Sequence, residues 1–120
     1  MRPRCFILQE ILKRDPSTGT MQPVMDFRKV LEYGDPVVCL PSGRVGLTPG
    51  PTIDILRSKL RDFNDDDFIV PVGHPGVIAL AGAIAAENNM GRFKMLIWDK
   101  DARQYLQVEY DLHHRIRKEN

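Results

Sequence analysis

The stretch Phe68-Ile69-Val70-Pro71-Val72-Gly73-His74-Pro75-Gly76, leading straight into Val77-Ile78-Ala79-Leu80-Ala81-Gly82-Ala83-Ile84-Ala85-Ala86-Glu87-Asn88, decides the fold class. Phe68 to Val72 is an apolar run of strand length, interrupted only by Pro71 near its end. Val77 to Asn88 is rich in Ala and has no polar stripe before Glu87, the pattern of a helix covered on most sides. Gly73 to Gly76 is all that lies between them. A buried strand joined by so short a loop to a helix is one half of a parallel crossover.

The same order repeats upstream. Val37 to Leu40 is a continuous apolar run between Pro36 and Pro41, which predicts a short strand buried on both faces and central in a sheet. After the loop 41–50, Pro51 opens a helix whose Ile53, Leu56, Leu60 and Phe63 recur at helical spacing, with Arg57, Lys59 and Arg61 outward. Asn64-Asp65-Asp66-Asp67 closes it. Downstream, Phe93, Met95 and Ile97 lead through Asp99-Lys100-Asp101 to Leu106, Val108 and Tyr110, which alternate with Gln107, Glu109 and Asp111. That predicts an antiparallel hairpin with one wetter face and Trp98 paired with Tyr105 across it. Towards the N-terminus, Cys5 to Leu12 reads as a first strand, and Asp15-Pro16 with Gly19 as a turn returning through Met21 to Met25. Asp26 is placed to cap a two-turn helix facing Phe27, Val30 and Leu31 inward, with Gly34 as its C′ residue.

Together these elements give one small α/β domain over residues 1–120, with central parallel strands, crossover helices and antiparallel edge hairpins, and residues 113–120 as a basic frayed tail. A hydrophobic content of 42% supports a complete core; a net charge of +1 with 28% charged residues argues against an acidic disordered chain and a globally basic nucleic-acid wrapper. Cys5 and Cys39 are too few for a disulfide framework and are expected reduced and buried. The apolar run after Arg4 stops at Gln9-Glu10, too short for a signal segment, and Pro75 to Ala86 is shorter than the ~20 residues of a membrane span. The expectation is a soluble, cytoplasmic protein with no membrane attachment.

In an open parallel sheet, ligands gather beyond the carboxyl ends of the strands, where helix N-termini offer free amides. Two loops qualify here. The first supplies Ser42, Gly43, Arg44 and Thr48; the second supplies Gly73, His74 and Gly76. Arg44, Ser42 and the amides near Gly76 form a candidate anion seat, with His74 and Asp99 as candidate catalytic groups. Neither loop carries a recognised phosphate-binding motif, and Gly, Pro and Ser serve such turns for backbone reasons alone. No metal site or cofactor is expected: Asp65-Asp66-Asp67 precedes a strand, at the end away from the crevice, and His113-His114 lack zinc-ligand spacing. Arg2, Arg4, Arg115, Arg117 and Lys118 lack interleaved aromatics, so a solvated surface is preferred over nucleic-acid binding.

Leu31-Glu32-Tyr33-Gly34, Leu40-Pro41, Lys59 to Phe68, Pro71 to Pro75 and Gly91 to Asp99 resemble short uncharacterised proteins encoded in phage and environmental viral genomes, over residues 26–112. In such proteins an acidic residue often follows the Pro-Val-Gly segment, and His74 departs from that pattern. The resemblance implies a viral accessory protein of the host cytoplasm that acts by binding, and carries no activity with it. The leading expectation is therefore a non-enzymatic regulatory protein that self-associates or binds a host protein through the Ala-rich helix or the last hairpin. The alternative is a binder or hydrolase of a nucleotide or other phosphorylated small molecule at Ser42, Arg44 and His74.

Overall fold

The structure, a computed structural model, describes residues 2–23, 27–43 and 49–114. Its elements run β1 (Arg4–Gln9), β2 (Leu12–Arg14), β3 (Met21–Pro23), a 3-10 turn (Arg28–Glu32), β4 (Asp35–Leu40), α1 (Gly50–Lys59), β5 (Phe68–Val70), α2 (Pro75–Asn88), β6 (Arg92–Asp99) and β7 (Gln104–Asp111). The main sheet has the order β4-β1-β5-β6-β7, and β2 pairs with β3 in a separate antiparallel ribbon. The first four main-sheet strands are parallel and β7 runs antiparallel to β6. This is the α/β architecture that the sequence predicts.

The two faces of the sheet bury different residues because side chains alternate along a strand. Phe6 and Leu8 of β1 and Ile69 of β5 pack with Leu56, Leu60, Phe63, Val77, Ala81 and Ile84 under α1 and α2. Cys5 and Ile7, with Phe68, Val70 and Leu96, pack on the other face against Val30 of the 3-10 turn. Both helices thus lie on one face and the short turn on the other. The chain leaves β1 across the turn face to reach β4, then doubles back across the helix face to β5 and onward to β6. Reversing direction and face together keeps every crossover of one hand, as the right-handed rule requires.

Several sequence expectations are corrected. Val37 to Leu40 belongs to an edge strand, β4, with Val38 exposed, whereas β5 holds the centre and is buried throughout. Pro36 fits the edge assignment, since a strand without a full row of donors is tolerated only there. The first strand ends at Gln9 rather than Leu12, because the chain bends away after Glu10 donates to Leu40 O. In the 3-10 turn Val30 is buried but Leu31 is exposed, since three residues per turn present one inward position rather than two. Gly34 is not in a left-handed conformation; a Cβ there would meet the Pro3 carbonyl oxygen, which accepts from Asp35 N at 2.8 Å. Its role is close approach, not capping. Asp26 and the basic stretch 115–120 lie outside the described residues.

At the amino ends of the central strands, Asp67 is buried and accepts from Arg4 N at 3.1 Å, Arg4 Nη2 at 2.8 Å and Asn64 N at 3.1 Å. The acidic run therefore contains a structural residue: Asp67 ties β1 to the loop before β5. The bound carboxylate raises the Arg4 pKa above its ordinary value. Asp65 and Asp66 are exposed, and Asp65 pairs with Arg92 at 3.3 Å.

Cys5 and Cys39 are both free and buried, in the two opposite cores. Burial disfavours the thiolate and pushes each pKa up to about 11. An unfolded thiol loses its proton at lower pH, so this contribution to stability is complete below about 8.5 and declines as pH rises through the folded value. The native protein should leave both thiols unmodified by a thiol reagent at pH 8 and expose both in urea. Rapid labelling of either without denaturant would contradict the burial described here.

Candidate functional site

The order β4-β1-β5 places the reversal of crossover direction between β1 and β5, whose carboxyl ends would form the usual ligand crevice of such a sheet. Here that position is filled by Gln9. Its side chain is buried, 6% exposed, at the last position of β1. Its Nε2 donates to Gly43 O at 2.9 Å, after β4, and its Oε1 accepts from His74 N at 3.0 Å, after β5. Its backbone N donates to Val72 O at 3.1 Å. One amide side chain thereby joins the ends of three parallel strands.

Gly43 at the start of the first loop and His74 in the second lie on one rim, and Gln9 is bonded to both. Gly73 has φ +126° and a Cβ there would lie 2.6 Å from Gln9 Cβ and 2.8 Å from Gln9 Oε1, so glycine is required twice over. His74 is the N-cap of α2: its Nδ1 accepts from Gly76 N at 3.0 Å, while its carbonyl accepts from Val77 N and Ile78 N. The amide of Gly76, proposed from sequence as an anion donor, is thus bonded to the His74 ring. Ser42 Oγ accepts weakly from Leu12 N at 3.4 Å, joining the β2 ribbon to the end of β4. Gly43 has φ +142° with open space beside it. Arg44 and Thr48 lie outside the described residues.

Asp99 ends β6 on the same rim, but its Oδ1 accepts from Asp101 N at 3.0 Å and shapes the β6–β7 turn. The terminal arginines do not pool into a patch among the described residues: Arg2 pairs with Asp35 at 2.8 Å and Arg4 with Asp67. Sequence reasoning missed Gln9, treating Gln9-Glu10 only as the polar break after a strand. The available signal was an uncharged amide ending an otherwise apolar central strand, where only a fully bonded polar group is tolerated.

Two hollows lie elsewhere. A groove of about 470 Å³ opens at the amino end of β6, lined by Asp65, Arg92, Lys94, Glu109, Asp111 and His114, with Phe93 stacked on Tyr110 at 5.1 Å. An apolar hollow of about 260 Å³ lies between Val72, Leu96, Trp98 and Tyr105 on the face opposite the helices. Trp98 and Tyr105 are paired across the hairpin as expected, edge to face with centroids 5.0 Å apart. Lys29 Nζ sits over the Trp98 ring at 5.6 Å.

Residues 3–112 match the model of a family described as Phage Pam3 gp32-like protein. The chain belongs to this phage protein family, in agreement with the resemblance read from its sequence. Comparison with curated proteins and with solved structures gives no match. No helix among the described residues is long and apolar enough to cross a membrane.

The Gln9 contact can be isolated by comparing two glycines of similar φ. Gly43→Ala should cost only backbone strain, on the order of 1 kcal/mol. Gly73→Ala adds displacement of Gln9 and should cost roughly 2–4 kcal/mol in urea unfolding. Equal losses for the two variants would show that the Gln9 packing contributes nothing.

Proposed function

We propose that this phage protein is a non-enzymatic accessory protein that acts by binding another protein through its β6–β7 hairpin. The observation that carries the reading is the hairpin's unusual exposure of large apolar side chains. Trp98, Leu106, Tyr110 and Leu112 are all exposed within one hairpin, while among the described residues no strand lies beyond β7. Aromatic and aliphatic anchors beside an open backbone edge are the chemistry by which one sheet accepts a strand or loop of another protein. The Ala-rich helix is a weaker candidate surface: Val77, Ala81, Ile84, Ala85 and Ala86 are buried within the fold, which leaves mainly Ala79, Ala83 and Glu87 outward.

A nucleotide or other phosphorylated ligand at the strand-end loops is the second reading, favoured by the convergence of Gly43 and His74 on one rim. Arg44 would supply the electrostatic stabilisation and His74 the proton transfer. Amide hydrogen exchange separates the two. Protein binding through the hairpin predicts that residues 104–112 become protected in concentrated protein or in host-cell extract, with no melting shift from a nucleotide panel. Protection confined to residues 42–50 and 73–76 on adding a nucleotide would reverse the choice, and no change under either condition would leave both readings unsupported.

A further inference from the structure

The partner that the hairpin edge fits best is a second copy of itself, and this inference rests on the hairpin reading above. Leu112 N donates to Gly91 O at 2.8 Å, which fixes the hydrogen-bond phase of the β6–β7 ladder. With the register Arg92↔Asp111 to Asp99↔Gln104, the even-numbered residues of β7 turn their backbone groups towards β6. The backbone N–H and C=O groups of Tyr105, Gln107, Glu109 and Asp111 therefore face away from the sheet. Two of their carbonyls are already used: Tyr105 O accepts from the Tyr33 hydroxyl at 3.1 Å, with Lys29 Nζ reaching Arg103 O nearby, and Asp111 O accepts from His114 N at 3.0 Å. The open part of the edge runs from Leu106 to Tyr110.

We infer that two copies pair antiparallel along this edge with Val108 opposite Val108 on the two-fold axis. The placements that use most of the open edge centre on Glu109, Gln107 or Val108, and the side chains and free backbone groups choose among them. Centring on Glu109 sets that carboxylate against its own copy, a repulsive cross-strand pair. Centring on Gln107 leaves a single fully bonded pair, Gln107 with its own copy, because it sets Glu109 against Tyr105, whose carbonyl is engaged. Centring on Val108 pairs Gln107 with Glu109 through both of their backbone groups, and the Gln107 amide can then donate to the Glu109 carboxylate. On the helix face the same placement puts Leu106 against Tyr110, Val108 against Val108 and Tyr110 against Leu106. The sequence Leu106-Gln107-Val108-Glu109-Tyr110 is thus complementary to itself about its middle residue. Leu106 and Tyr110, 43% and 39% exposed in one copy, gain cover from each other.

The two ends of the sheet differ in a way that supports this direction of growth. The β4 edge contains Pro36, a residue that discourages strand addition, and β7 contains neither Pro nor Lys. A net charge of +1 gives little repulsion between copies.

Sedimentation equilibrium of the full chain should show a mass rising with concentration from 13.7 kDa towards twice that value. Gln107→Pro removes an outward N–H without touching the β6 ladder, so it should keep the thermal midpoint but hold the mass at the monomer value, while Gln107→Ala still dimerises. Val108→Cys should form an intermolecular disulfide under mild oxidation, because a non-hydrogen-bonded antiparallel pair brings Cα atoms to about 4.5 Å. Leu106→Cys alone should not, and Leu106→Cys with Tyr110→Cys should. The cysteine pattern decides the register even if Gln107→Pro fails to fold. A dimer without the Val108→Cys cross-link overturns this pairing and leaves the hairpin reading intact. So does a wild-type monomer whose hairpin is protected by another protein; a monomer with no protected hairpin overturns both.

Discussion

A single buried amide sets the geometry at the carboxyl ends of the central strands. Gln9 ends β1, and its side chain and backbone together bond to the segments that leave β4 and β5. Each neutral hydrogen bond contributes only about 1 kcal/mol net, but a buried donor or acceptor left without its partner costs about 1–3 kcal/mol. The constraint therefore acts less by adding stability than by penalising every arrangement in which the three strand ends drift apart. It also explains local features that would otherwise look independent. Gly73 must be glycine because Gln9 lies against it, and His74 is carried to the N-cap of α2 by the bond its own amide makes to Gln9 Oε1.

The other end of the same strand is fixed by charge. Asp67, almost wholly buried, accepts from the backbone and the guanidinium of Arg4. β1 is thus tied across to its neighbours at both ends, by an amide at one and a carboxylate at the other. Removing Arg4 would leave Asp67 buried without its counter-charge, which is the costly way to break such a pair. With the crevice between β1 and β5 filled and bonded, the exposed chemistry of this fold shifts to its periphery. There the β6–β7 hairpin carries aromatic and aliphatic side chains beside an uncovered strand edge.

The order of strands and helices was legible because burial leaves periodic marks on a sequence. Leu56, Leu60 and Phe63 are buried as their spacing predicts, and Phe68 to Val70 is a strand covered on both faces. Position within the sheet was not legible. Val37 to Leu40 is as apolar as Phe68 to Val72, yet lies at the edge, since a run of Val and Leu records local burial and not the number of neighbouring strands. The site was half legible: glycines marked both loops, but the residue joining them is 34 positions before Gly43 and 65 before His74. An uncharged amide at the end of an apolar strand hints that Gln9 is buried and bonded, but nothing local names its partners. The same limit hid Asp67, which looks like its exposed neighbours until Arg4 is brought beside it.

The measurement that bears most directly on this account is the pH dependence of unfolding in Gln9→Glu. The substitution keeps shape but replaces the Nε2 donor with an oxygen facing Gly43 O. When ionised, that oxygen cannot donate; when protonated, it can. Folding should therefore raise the new carboxyl's pKa above the unfolded value of about 4.3, so that stability falls as pH rises through the folded value. The account predicts that the urea midpoint of Gln9→Glu, taken relative to wild type at each pH, lies close to wild type near pH 4 and well below it at pH 7. A midpoint equal to that of wild type at both would contradict it, because the amide would then not be what joins the three strand ends.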